Sequence, residues 1–142
     1  MVGHALTLAD AEDLFDRRRR AWLAADEESY LDLFAAGLEI RMPGRDEPVR
    51  GRDRYADIVR RSFAWAAPES FEFHHLAVRD DVIMAEWTIS TRRRSDGARF
   101  RWEGMSVARI DGDGRIAWWR EYWDPRQVAE PVSIENGEQT DG

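Results

Sequence analysis

The chain contains no cysteine and no lysine, and Asn136 is its only asparagine. Without cysteine there is no disulfide, no thiolate metal ligand and no cysteine nucleophile. Without lysine there is no side-chain Schiff base, and all 21 basic residues are arginine. Lysine and asparagine use AT-rich codons, so their scarcity points to a GC-rich, bacterial source. No stretch approaches the roughly 20 consecutive apolar residues of a membrane helix, and a membrane partner is not expected. The opening MVGHALTLADAEDLF has no basic or apolar leader region and does not read as a secretory signal. Together these features predict a cytoplasmic protein. A net charge of −7 argues against nonspecific nucleic-acid binding, which depends on neutralising phosphates.

What is present is a chain of 142 residues with 43% apolar residues and seven tryptophans, enough for one domain with a real core. Thr7 and Asp10 form a helix-start signature, and Leu8, Ala11, Leu14, Phe15, Ala21, Trp22 and Ala25 recur near helical spacing. This predicts a helix over about 8–25. It carries Arg17 to Arg20, which point all round the axis and read as solvated residues, with Asp13–Arg17 and Asp16–Arg20 pairs. Asp26 caps a second helix through Phe34. LEIRMP, 38–43, reads as a short strand ended by Pro-Gly, and Asp53 as the cap of a third helix over 54–65.

From Ser70 onward the period changes to two. FEFHHLAV, DVIMAEWTISTRRR, ARFRWEGMSVARI and RIAWWREYW read as four long strands, with Asp-Gly pairs in two of the three turns. Helices followed by an antiparallel meander define an α+β domain, here over residues 1–125. The curved sheet wraps the N-terminal helices into a cone with an internal pocket. Residues 126–142 read as a tail, its last ten or so residues mobile.

The segment WWREYWD, 118–124, concentrates the chemistry. Alternation puts Trp119, Glu121 and Trp123 on one face of its strand and Trp118 and Tyr122 on the other. An antiparallel sheet that is aromatic on both faces suggests a cavity on one side and a homodimer interface on the outer side. With Glu121 inward, matching registers bring in Trp102, Gly104 and Ser106, then Trp87 and Ile89, then Glu39 and Arg41. Apolar walls with a few converging polar groups suit a small apolar organic ligand, and Gly104 would leave it room. Burial against tryptophan and a nearby Glu39 would raise the Glu121 pKa, while Arg41 would oppose that rise. Tyr30 and Tyr55, on covering helices, are further candidates to line the pocket.

His74 and His75 are adjacent on a strand, so one faces inward and one outward. They cannot chelate one metal from a single face, and no metal site is expected. Glu86 should face away from the cavity.

The order of elements, the GRDRY start of the third helix and the closing DGRI…REYWD resemble the SnoaL-like group of the nuclear-transport-factor-2-like superfamily over about residues 8–125. That resemblance implies the cone fold and a choice of chemistries: polyketide cyclases, ketosteroid isomerases, epoxide hydrolases and non-catalytic relatives. Set against the epoxide hydrolases, Glu121 takes the place of their water-activating aspartate. Glu39 and Arg41 take the places of their water-holding Tyr and Asn. Trp87 and Ile89 replace their charged Arg and Asp. Against the ketosteroid isomerases, Met42 replaces the catalytic aspartate. The reading is a pocket protein working without metal or organic cofactor. Glu121 would serve as base, assisted by Glu39 and Arg41, on a polyketide- or terpenoid-like substrate, and a ligand-binding or accessory domain is the alternative.

Overall fold

Thr7 starts the fold with both halves of a capping box. Its hydroxyl accepts from the Asp10 N–H at 3.0 Å, and the Asp10 carboxylate accepts from the Thr7 N–H at 3.1 Å. The structure, a computed structural model, describes residues 6–132. The mobility expected of the last ten residues concerns positions outside that range. In chain order the elements are α1 (Leu8–Leu23), α2 (Glu27–Leu31), β1 (Phe34–Arg41), β2 (Val49–Arg50) and α3 (Arg52–Trp65). Then follow β3 (Ala66–Arg79), β4 (Val82–Arg93), β5 (Arg99–Ile110), β6 (Ile116–Trp123) and α4 (Arg126–Ala129). Among the described residues no helix is long and apolar enough to cross a membrane.

Asp26 caps α2 by accepting from the Ser29 N–H, as its sequence position predicts. α3 departs from expectation. It begins at Arg52 behind Gly51, whose φ of 94° favours glycine, and Asp53 lies inside the first turn. The second helix is also shorter than predicted, because Phe34 already belongs to β1 and is wholly buried in the core.

The six strands form one curved, unclosed sheet in the order β2-β1-β6-β5-β4-β3. β3 to β6 make the expected antiparallel meander, while β1 runs parallel to β6. β3 is long and carries irregularities between Pro68 and Ser70 and between Phe73 and His75. Such bulges bend and twist a strand, which lets the sheet curl around α1. Beyond Trp123 the chain turns at Asp124-Pro125. The Gln127 side chain then accepts from the Glu103 N–H and Val132 donates to the Arg99 carbonyl, serving the half of β5 that β6 does not reach.

The helices press the buried stripe of α1 onto the concave face of the sheet. Phe15, Phe34, Leu38, Ile40 and Trp119 are at the centre of the main core. A second cluster of Phe71, Trp87 and Ile89 lies toward the other end of the concave face. Trp87 and Trp119 are both essentially unexposed. Each indole removes about 200 Å² from water, a transfer contribution of about 5 kcal/mol.

Candidate functional site

β6 lays out the site. Trp119, Glu121 and Trp123 alternate onto the concave face, opposite Ala108, Ser106 and Gly104 of β5. β4 continues these rows with Ile83, Ala85 and Trp87, and Ile89 stands opposite Trp102. Trp22, Leu23, Phe73, Trp102 and Trp123 pack half-buried against the second cluster. The result is an aromatic interior bounded by indoles from three strands and one helix.

A carboxyl and a guanidinium side chain enter it. The Glu121 side chain is 14% exposed, and its Oε1 accepts the Trp123 indole N–H at 3.0 Å. The other is Arg18, with only 3% exposure. Its guanidinium lies over Trp119 at 4.1 Å and over Phe71 at 4.9 Å, with Phe15, Tyr30 and Phe73 within 6 Å. Arg18 Nη2 stands 3.8 Å from Glu121 Oε2, an ionic contact too long for a hydrogen bond.

Arg18 corrects the reading of the arginine run as wholly solvated. Arg17 and Arg20 do make the surface pairs with Asp13 and Asp16, at 3.1 and 3.0 Å. Arg18, however, falls on the buried stripe of α1 with Ala11, Leu14 and Ala21. The signal was the spacing: position 18 is four residues after Leu14 and three before Ala21.

Tyr30 and Tyr55 close the helical side of the interior. Both are buried, and their hydroxyls are hydrogen-bonded to each other at 2.9 Å. Burial pushes the Tyr55 hydroxyl well above the ordinary tyrosine range. The neighbouring Tyr30 and Glu121 reinforce that rise and Arg18 opposes it. The phenol is therefore protonated at physiological pH.

Ser106 and Gly104 support the walls. The Ser106 hydroxyl, fully buried, accepts the Trp87 indole N–H at 2.8 Å and fixes that ring. The space expected beside Gly104 for a ligand is already filled by protein. A Cβ there would stand 2.5 Å from the Tyr122 carbonyl oxygen and 2.9 Å from both Trp123 Cβ and Trp87 Cη2.

Glu39 and Arg41 do not join the interior. In the parallel pairing Ile40 is the partner of Trp119, so Glu39 and Arg41 share the opposite face with Trp118 and Arg120. Glu39 forms ion pairs there with Arg41 at 3.4 Å and Arg50 at 3.5 Å. The buried inward positions on β1 are Leu38 and Ile40, and Met42 packs beside them. The expectation of one inward histidine also fails. The bulge inserts His74 between Phe73 and His75, which pair with Trp87 and Glu86. His74 Nε2 then hydrogen-bonds Thr88 Oγ1 at 2.7 Å and His75 Nδ1 hydrogen-bonds Glu86 Oε1 at 2.6 Å, both on the outer side. Among the described residues no three His, Asp or Glu side chains converge as a metal site would.

Glu121 also borders the outside. Where β1 ends and β6 continues, the loop 42–48 leaves a cleft of about 480 Å³ lined by Arg41, Met42, Arg45, Glu47, Glu121 and Trp123, among others. One carboxylate therefore borders both the cleft and the aromatic interior.

A cone of helices on a curved sheet, with one carboxylate and one guanidinium held among aromatic rings, defines the class. The chain belongs to the SnoaL-like domain family, whose sequence profile matches residues 14–119. No functionally curated protein matches it in sequence. Among solved structures it is similar to a candidate isomerase from Bacillus subtilis, at 22% identity and a TM-score of 0.77, covering 87% of this chain and 92% of that one. It is similar to an LEH-like epoxide hydrolase from M. tuberculosis, at 21% identity and TM-score 0.72, over 85% and 87% of the two chains. The candidate polyketide cyclase IdmH from Streptomyces antibioticus gives 17% identity and TM-score 0.69, over 83% and 94%. At these identities the likeness establishes the fold.

Proposed function

We propose that this protein is a cofactor-independent acid–base enzyme of the cyclase, isomerase or hydrolase type, acting on an apolar polyketide- or terpenoid-like substrate. The observation that carries the reading is the position of Glu121. It is the carboxylate on the concave face between Trp119 and Trp123, and it borders both the cleft and the interior. A carboxylate in apolar surroundings with a substrate-sized opening beside it is placed to move a proton. Trp87, Ile89, Trp102 and Trp123 would bind the skeleton of the substrate. Tyr30 and Tyr55 would contribute a hydroxyl, and Ser106 would hold Trp87 in place.

A non-catalytic binding domain is the second reading, and one observation favours it. With Glu39 on the outer face and Met42 beside the core, among the described residues the interior has no second carboxylate to share the proton work. The two readings separate in an exchange experiment. Candidate apolar ketones are incubated in deuterium oxide and followed by proton NMR. The enzyme reading expects accelerated loss of α-protons with the wild type and a slowing of about 100-fold or more in Glu121→Gln. A ligand retained in native mass spectrometry but never exchanged or converted would install the binding reading instead.

The same proposal includes a homodimer through the outer sheet face. Met84, Met105 and Tyr122 are 37%, 41% and 51% exposed there, and Met105 is paired with Tyr122 across the strands. Light scattering should give twice the chain mass for the wild type and a monomer for Met105→Glu. A wild-type monomer at micromolar concentration would remove the dimer from the proposal.

A further inference from the structure

The interior contains hydrogen-bond donors that have no acceptor. Arg18 Nε and Nη1, Trp22 Nε1 and Trp119 Nε1 are all buried and unpartnered. Arginine and tryptophan side chains can only donate, so each of these nitrogens needs an oxygen from elsewhere. They are neighbours: the Arg18 guanidinium lies over Trp119, and both Arg18 and the Trp22 ring pack on Tyr30. No acceptor close by bonds them. Glu121 Oε1 takes the Trp123 indole, Glu121 Oε2 stays 3.8 Å from Arg18 Nη2, and the two tyrosine hydroxyls bond each other.

Buried donors are almost always satisfied in a folded protein, and a guanidinium with idle nitrogens is among the most costly exceptions. Arg18 also lacks an easy way out. Its group lies over the Trp119 and Phe71 rings and sits 3% exposed on the stripe of α1 that faces the sheet. The unpartnered nitrogens call for a group that only accepts. A carbonyl or carboxylate oxygen offers lone pairs and brings no proton of its own. An alcohol would add a further donor to a donor-rich site, and a hydrocarbon would leave every nitrogen idle.

We infer that Arg18 is the anchoring residue of the interior site, and that it selects apolar ligands whose skeleton carries a carbonyl or carboxylate oxygen. The inference rests on the reading that the interior admits a small molecule. It goes beyond that reading by moving the polar recognition from β1, where Arg41 faces outward, to α1. It also favours carbonyl compounds over alcohols and hydrocarbons as substrates or ligands of this protein.

The test uses a set of matched probes: 2-naphthoate, 2-acetylnaphthalene and 2-ethylnaphthalene. Calorimetry on the wild type should show the first two binding about tenfold or more tightly than the third, since a hydrogen bond to a charged donor contributes that much. In Arg18→Met the preference should vanish while 2-ethylnaphthalene binding persists. In nitrogen-correlated NMR of the wild type, the Arg18 Nε–H signal, assigned by its loss in Arg18→Lys, should move with the two oxygen-bearing probes and stay still with the third. If 2-ethylnaphthalene binds the wild type as well as the others, or the preference survives Arg18→Met, the anchoring role falls and the pocket reading stands. If none of the probes binds the wild type, the pocket reading falls and takes this inference with it. Should Arg18→Met fail to fold, the wild-type NMR signal decides: an Nε–H shift common to all probes, or absent with all, overturns the inference.

Discussion

The Glu121 carboxylate stands 3.8 Å from the Arg18 guanidinium, with no hydrogen bond between them. Arg18 is 3% exposed and Glu121 14%, so each is largely cut off from water. The pair therefore interacts as two charges in an apolar setting, with the Trp123 indole fixing the far oxygen of the carboxylate. This looseness is what distinguishes it from a structural ion pair such as Arg93–Asp96, joined by bonds of 2.9 and 2.7 Å.

Removing one charge should cost more than removing both. Glu121→Gln leaves the Arg18 charge uncompensated and should lower unfolding free energy by about 1–3 kcal/mol. That is below the cost of breaking a fully buried pair, because Glu121 keeps some access to water. Adding Arg18→Met should restore most of the loss, since a buried pair replaced by apolar groups is often neutral. Urea denaturation of the two single variants and the double variant completes the cycle. Strictly additive losses would mean that the two groups do not sense each other.

Gly104 should be nearly irreplaceable for a packing reason. Trp87, Trp123 and the Tyr122 carbonyl converge on the space a side chain would need, the carbonyl at 2.5 Å. A backbone oxygen cannot swing aside, so Gly104→Ala must displace β6 from β5 or push Trp87 off Ser106. The expected loss is about 1–3 kcal/mol in denaturation. A change in the Trp87 environment, visible as a shift of its indole N–H signal, should accompany it. An unchanged midpoint would show that the β5–β6 spacing is softer than drawn.

The parts of the fold set by local chemistry were readable from the sequence. Thr7, Asp26 and the Asp-Gly turns mark their boundaries through hydrogen bonds within a few residues, and the period-two runs of β4, β5 and β6 align as expected. Parity along β6 put Trp119, Glu121 and Trp123 on one face, and parity along β4 and β5 put Trp87, Ile89, Trp102, Gly104 and Ser106 there too. What failed depended on register between distant strands. Nothing local in LEIRMP says that Ile40 rather than Glu39 will stand beside Trp119, because β1 meets β6 in parallel across most of the chain. The bulge at His74 is likewise a tertiary response to curvature. Arg18 is the instructive omission: the helical stripe already pointed to position 18, and arginine's usual exposure outweighed the pattern.

The β4–β5 hairpin should report acid through Asp96. The Arg93 guanidinium and the Ala98 N–H hold the Asp96 carboxyl down to about 2. A carboxyl group lowered in the folded state stabilises above its unfolded pKa, and that contribution fades as pH falls through the folded value. Asp96→Asn should therefore be less stable than wild type at neutral pH, with the gap closing between about pH 5 and pH 2. Thermal unfolding of both proteins across that window checks it. The pair is partly exposed, so salt is a second control: added salt should shrink the neutral-pH gap.

Tyr55 should limit the protein from the alkaline side. Its hydroxyl is held protonated well above the ordinary range, by burial first and then by the nearby Tyr30 and Glu121. For a group that is neutral when protonated, a raised folded pKa means that the unfolded chain loses its proton more readily. Stability is complete below the unfolded value, about 10, and declines as pH rises beyond it toward the folded value. Tyr55→Phe removes the titrating group, so its unfolding free energy should fall less steeply above pH 10 than that of the wild type. At neutral pH the variant should be the weaker of the two, because the Tyr30 hydroxyl loses its partner at 2.9 Å. Two pH-stability curves, crossing or converging on the alkaline side, are the expected result. Parallel curves would mean that Tyr55 ionises as freely folded as unfolded, and the sealed helical wall behind Glu121 would have to be redrawn as open to water.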